Sequence, residues 1–240
     1  MKRLYTSASW EPDAATNARR ILLDGKPVRT PARETLMVPG AALADAIIAE
    51  WNAQAERIAP ATMPMTGFAN ATIDRVLPDA PGFGEGIAAY SASDLLCYRA
   101  AEPPELVALQ AAAWDPLLDW ARARYDAAFA MTDSIMPVDQ PEPTVARLHA
   151  AVGALDPWLF AGLATIVTIT GSLIGALALL EGAIEAGVLW DAAHVDEVWQ
   201  ARLWGEDADA VARTRIRRAQ FDDAARYCAL VMRGSSALEA

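Results

Sequence analysis

The sequence predicts an α+β protein in which a small N-terminal domain containing a β-hairpin, residues 1–65, precedes a larger all-helical domain, residues 66–240. Three observations carry this expectation. An Asp24-Gly25 dipeptide separates two short runs, Arg19-Arg20-Ile21-Leu22-Leu23 and Lys26-Pro27-Val28-Arg29-Thr30, and both central residues of a type I′ hairpin turn need the positive φ that Asp and Gly tolerate. After Pro39-Gly40 the apolar residues recur at three-four spacing, the period of one helix face. Alanine, the strongest helix former, makes up about a fifth of the chain.

The elements follow in order. Thr35-Leu36-Met37-Val38 reads as a second short strand and the region of Tyr5 as another, while Pro27 and Pro31 put at least one strand at a sheet edge. Leu43, Ile47, Ile48, Trp51 and Gln54 form one stripe of a helix over about 40–55. Pro60 and Pro64 interrupt the chain before a short helix over Thr66–Val76. The glycines at 82, 84 and 86 lack the Gly-Lys-Ser/Thr ending of a phosphate loop and read as a turn that opens a helix. From Pro103 a long helix carries Leu106, Leu109, Gln110, Trp114, Leu117, Leu118 and Trp120, with a kink or break expected at Asp115-Pro116. Asp156-Pro157 supplies an N-cap followed by proline at the first helical position. The last helix begins near Gly205-Glu206-Asp207, with a stripe through Val211, Thr214, Arg218, Phe221, Ala225, Cys228 and Met232.

Between Pro157 and Leu180 there is no charged residue, a length that could span a bilayer. Its flanks are acidic on both sides, and Thr-Ile-Thr-Gly-Ser interrupts its centre. A buried pair of helices is therefore the expectation. The formal net charge of -11 argues against nucleic acid and anionic lipid as partners. Two cysteines without a CxxC fit a reducing compartment, and no secretory or transit signal is legible at the N-terminus.

Chemistry is sparse. His194 and Glu197 lie three apart, but a zinc site needs a third ligand and the sequence offers none, so His194 reads as a surface or capping residue. There is no Gly-x-Ser-x-Gly elbow. Cys97, among apolar neighbours, reads as an inert core thiol, and an enzyme of hydrolase type using Cys97 or an acidic pair is the rival reading. Glu206 and Asp207 suit a helix N-terminus better than acid-base work. By the three-four rule His194, Glu197, Ala201 and Trp204 share a face, with Gln200 adjacent. That tryptophan reads as a partner-binding anchor or as a core residue flanked by solvated acids.

Several segments resemble one family. Glu50-Trp51-Asn52-Ala53-Gln54, Met63-Pro64-Met65-Thr66, Asn70-Ala71-Thr72-Ile73-Asp74-Arg75 and Asp94-Leu95-Leu96-Cys97-Tyr98-Arg99-Ala100 are similar to the assembly chaperone that binds the α subunit of the F-type ATP synthase in mitochondria and alphaproteobacteria. So are Gln110 to Leu117, Gly171-Ser172-Leu173, and Asp196-Glu197-Val198-Trp199-Gln200 with Trp204-Gly205-Glu206-Asp207, all in the family's order. The stretch from Ala128 to Ser134 has no counterpart among these motifs. The resemblance implies a small β-containing domain followed by a helical one. It also implies a non-enzymatic, cofactor-free role: a monomer that shields the β-contacting surface of the unassembled α subunit. The compartment implied is the bacterial cytoplasm, or the mitochondrial matrix for a mature eukaryotic chain. By the resemblance, functional weight falls on Glu197 or Glu206; with Gln200, Trp204 and Asp207 beside them these form the candidate partner-binding set.

Overall fold

The computed structural model describes residues 2–16, 18–134, 136–205 and 207–236. It is α+β and mostly helical. The sheet consists of β1 (Ala8–Pro12), β2 (Arg19–Leu23), β3 (Lys26–Pro27) and β4 (Met37–Val38), with β1, β3 and β4 each antiparallel to β2. Asp24 (φ 46°) and Gly25 (φ 76°) make the expected hairpin turn, pairing Leu23 with Lys26 and Leu22 with Pro27. Pro27 sits on a strand that pairs only with β2, so its missing N–H interrupts no ladder. The strand expected near Tyr5 begins at Ala8 instead. Tyr5 anchors the N-terminal segment in another way: its hydroxyl donates to the Trp51 carbonyl at 2.6 Å and its ring meets the Trp51 ring edge-on.

Contacts group the chain into two compact units: Met1–Ala80 with Asp156–Gly162 and Asp223–Ala240, and Pro81–Leu155 with Leu163–Asp222. In the first unit the sheet backs onto α1 (Ala41–Asn52), whose Leu43 and Ile47 are buried with Ile21, Leu36 and Val38. Glu50 on α1 accepts from the amides of Met65 (2.7 Å) and Thr66 (2.8 Å) and from the Thr66 hydroxyl (2.7 Å). It thereby satisfies the first turn of α2 (Pro64–Ala71), whose orphan N–H groups favour an acceptor. Burial raises the Glu50 carboxyl above its ordinary value, and the Thr66 and Met65 donors pull it back. The chain then passes through a π-helical turn at Thr72–Val76 and a 3₁₀ turn at Leu77–Asp79 into α3 (Ala80–Ala88).

The second unit is built on α4 (Pro104–Tyr125), which packs against α5 (Glu142–Gly153) and α7 (Leu173–Leu180), and against α8 (Ala186–Ala193) and α9 (Val195–Trp204). The break expected at Asp115-Pro116 does not occur: α4 runs through Pro116 as one helix of 22 residues. Proline removes the N–H that would bond the carbonyl of residue 112, but Pro116 and Ala112 are both exposed, so no buried acceptor is stranded. The buried face of α4 carries Trp114, Leu117, Leu118 and Ala121, and the Trp114 indole donates to the Ala192 carbonyl at 2.7 Å.

The uncharged stretch forms two helices, α6 (Phe160–Thr170) and α7, parted at Gly171 (φ 68°). Their side chains Leu163, Ile166, Val167, Leu173 and Ile174 are fully buried. Among the described residues no single helix is long and apolar enough to cross a membrane, although α5 and the 157–170 segment together reach that length and composition across a 97° bend. The last helix, α10 (Ala208–Ser236), departs from its expected stripe. Phe221, Ala224, Tyr227, Cys228 and Val231 are buried, whereas Val211, Thr214 and Ile216 are exposed, because α10 carries no buried side chain before its fourth turn.

Candidate functional site

The site follows from how α8, α9 and α10 meet. Trp190 on α8 is buried and stacks on His194 with ring centroids 3.7 Å apart. His194 is thus buried rather than on the surface; it stands at the C-cap of α8 and the N-cap of α9, where the sequence allowed a capping histidine, without a side-chain cap bond to α9. One ring nitrogen, Nδ1, lies 2.8 Å from the Trp190 carbonyl and the other, Nε2, lies 2.7 Å from Arg217 Nη2. A guanidinium only donates and a carbonyl only accepts, so the imidazole carries its proton on Nδ1 and accepts at Nε2. The same Arg217 nitrogen reaches Glu197 at 3.2 Å. Arg218 lies over the Trp190 ring at 5.2 Å and pairs with Asp222.

Around this nucleus Glu197, Gln200, Trp204 and Asp207 line one groove of about 510 Å³ whose opposite wall includes Val211 and Thr214 of α10. Four of the five residues singled out in the sequence therefore meet in one place; Glu206 lies outside the described residues. Their situations differ. Glu197 is an ion-pair partner of Arg217. Asp207 accepts from the amides of Asp209 (3.3 Å) and Ala210 (3.1 Å), as an N-cap of α10 should. Gln200 makes no side-chain hydrogen bond among the described residues and faces solvent. Trp204 is 85% exposed, and Leu203 beside it is exposed as well. Trp204 is therefore not a core tryptophan.

The whole of α9 shares this character, since none of its residues is fully buried. It is secured instead by polar ties: Gln110 of α4 donates to Asp196 at 2.7 Å, and Arg217 holds Glu197. The sequence reading missed the Arg217 bridge. Its signal was present as Arg213-Thr214-Arg215-Ile216-Arg217-Arg218, a basic run in an acidic chain.

The thiol of the rival reading stands elsewhere and in the wrong state for catalysis. Cys97 is fully buried and burial pushes its thiol up to about 12; Cys228 is likewise buried and pushed to about 12. A nucleophilic cysteine needs the opposite shift and an open approach. Asp94, also fully buried, accepts from the Leu96 amide at 3.1 Å and from the Ile174 amide at 2.9 Å, holding the start of α7. Burial raises its carboxyl to about 6. Among the described residues no three His, Cys, Asp or Glu side chains gather as metal ligands.

A profile described as ATP12 chaperone protein matches residues 2–122. The chain belongs to the ATP12 chaperone family. The solved Atp12 of Paracoccus denitrificans is 37% identical, covering 96% of this chain and 98% of that one, with a TM-score of 0.91. An aspartate-to-lysine variant of the same protein gives 37% identity, coverage of 96% and 97%, and a TM-score of 0.92. A protein of Agrobacterium tumefaciens, solved as a candidate chaperone, is 40% identical, with coverage of 96% and 86% and a TM-score of 0.90. The profile ends before α9, so likeness in the region of the groove rests on these nearly full-length structural matches. As a member of the ATP12 family the chain is an assembly chaperone, a non-enzymatic role.

Proposed function

We propose that the protein binds the unassembled α subunit of the F-type ATP synthase through the α9–α10 groove, with Trp204 as the anchor. It shields the surface that α later buries against β, and is displaced when β competes for that surface. The observation that carries this reading is a tryptophan 85% exposed at the end of a helix with no fully buried residue, in a member of an assembly-chaperone family. A large aromatic held in water offers area to a partner at small conformational cost, and such residues dominate binding energy when they are desolvated.

The acidic residues take secondary places. Glu197 is neutralised in part by Arg217, and Asp207 caps α10. Both shape the rim and contribute to partner selection rather than supplying a free charge. The net charge of -11 suits a protein that acts as a monomer, away from nucleic acid and without membrane insertion, in a bacterial cytoplasm or a mitochondrial matrix.

Trp204→Ala tests the anchor. It should weaken α binding by about 2 kcal/mol or more, some thirtyfold, as truncated anchor tryptophans do. The melting temperature should not move, because the side chain is exposed. Binding of α at the wild-type level by Trp204→Ala would remove the anchor from this reading. Glu197→Lys sets a second cation against Arg217 and should weaken binding less than Trp204→Ala.

A further inference from the structure

α9 borders a second groove, of about 610 Å³, on its other face. At 3.6 residues per turn, Val195, Trp199 and Arg202 point away from Glu197, Ala201 and Trp204. They line this second groove with residues of α4 and α8, among them Leu109, Pro116 and Val188. Val188 and Val198 are each about half exposed although they lie in an apolar recess. Such a recess in a chain with ample polar residues marks a contact surface.

The chemistry of the lining narrows the occupant. Arg202 is the one arginine or lysine of the groove, is exposed, and makes no ion pair among the described residues. Asp191 also lines the groove. The walls are helices whose backbone groups are bonded internally, so no strand edge is offered and an extended segment cannot add to a sheet here. A helix suits such a recess, because it bonds its own backbone groups internally and can lay an apolar face against the apolar walls. A second copy of the chain is disfavoured, since each would bring a net charge of -11.

We propose that this groove docks an amphipathic helix of the client subunit, seating apolar side chains at i, i+4 and i+7 between α4, α8 and α9 and a carboxylate against Arg202. With Trp204 on the opposite face, α9 becomes a ridge gripped by the client from two sides. The proposal rests on the client identified above, and its test separates the two.

The test uses the full-length protein, purified ATP synthase α subunit, and overlapping peptides spanning the α sequence. Arg202→Glu and Val188→Asp should each weaken α binding by about tenfold or more and abolish retention of the same few peptides. Those peptides should be amphipathic as helices and contain Asp or Glu. Changing that acidic residue to Lys should restore binding to Arg202→Glu and weaken it to wild type. Melting temperatures of both variants should match wild type, because the replaced side chains are exposed. If wild type and both groove variants bind α equally while Trp204→Ala does not, this inference fails and the proposed function stands. If wild type fails to bind α, the proposed function fails first. Concentration-dependent dimerisation of the wild type that Val188→Asp abolishes would assign the groove to self-association and overturn the inference.

Discussion

Asp94 is a carboxyl with no exposed surface, held by the amides of Leu96 and Ile174. Its folded-state value of about 6 stands above the ordinary 3.8. A raised carboxyl binds its proton more tightly in the folded state than in the unfolded one. Its favourable contribution is therefore complete below about pH 4 and is lost as pH rises through about 6, by about 3 kcal/mol in all. Asp94→Asn removes the titration and keeps one acceptor. The stability of wild type relative to Asp94→Asn should therefore fall between pH 4 and pH 7, read from urea midpoints at each pH. A difference that stays flat over that range would show that Asp94 does not titrate there. The sequence showed Asp94 only as the first residue of a motif, because a carboxylate before Leu-Leu-Cys looks like any helix cap until α7 is seen to bring the Ile174 amide to its second oxygen. His194 escaped for the same reason, since its stacking on Trp190 four residues earlier depends on the turn between α8 and α9 and its second bond on Arg217.

At the scale of elements, legibility followed how local the cause was. The Asp24-Gly25 hairpin needed only the φ preferences of two residues, and the break at Gly171 only a glycine between two apolar runs. At Pro116 the helix continues rather than breaks, because the cost of an interior proline depends on whether the stranded carbonyl meets water, and that is set by which face of α4 is exposed. Of the stripe expected on α10, Phe221 and Cys228 are buried while Val211 and Thr214 are exposed, since three-four spacing shows which residues share a face but not whether another helix covers that face. Close approach is legible only in the structure. A Cβ built on Gly162 of α6 would lie 2.5 Å from Cys228 Sγ and 3.1 Å from the Ala224 carbonyl. Gly162→Ala should therefore destabilise the protein by about 1–3 kcal/mol through overpacking, lowering the urea midpoint. The double variant with Cys228→Ala should recover part of the loss, because the sulfur can be removed and the backbone carbonyl cannot. An unchanged midpoint in Gly162→Ala would mean the two helices separate more readily than their packing suggests.

For the whole molecule, the acidic composition and the exposed apolar features serve one task. A chaperone that presents Trp204, Leu203 and an unfilled groove must stay soluble with those surfaces bare, and a net charge of -11 opposes self-association while it waits. Family and fold class were legible from motifs spread over most of the chain. The common face of Glu197 and Trp204, with Gln200 adjacent, was legible from helical spacing, while the arrival of Asp207 in the same groove and the existence of the second groove were not, the latter combining α4 and α9 from segments some ninety residues apart. The most direct measurement is co-expression with the ATP synthase α subunit in the absence of β, followed by size-exclusion chromatography of the soluble fraction. Soluble α should co-elute with the protein as a complex that dissociates when β is added. Aggregation of α to the same extent with and without the protein in molar excess would contradict the proposed function.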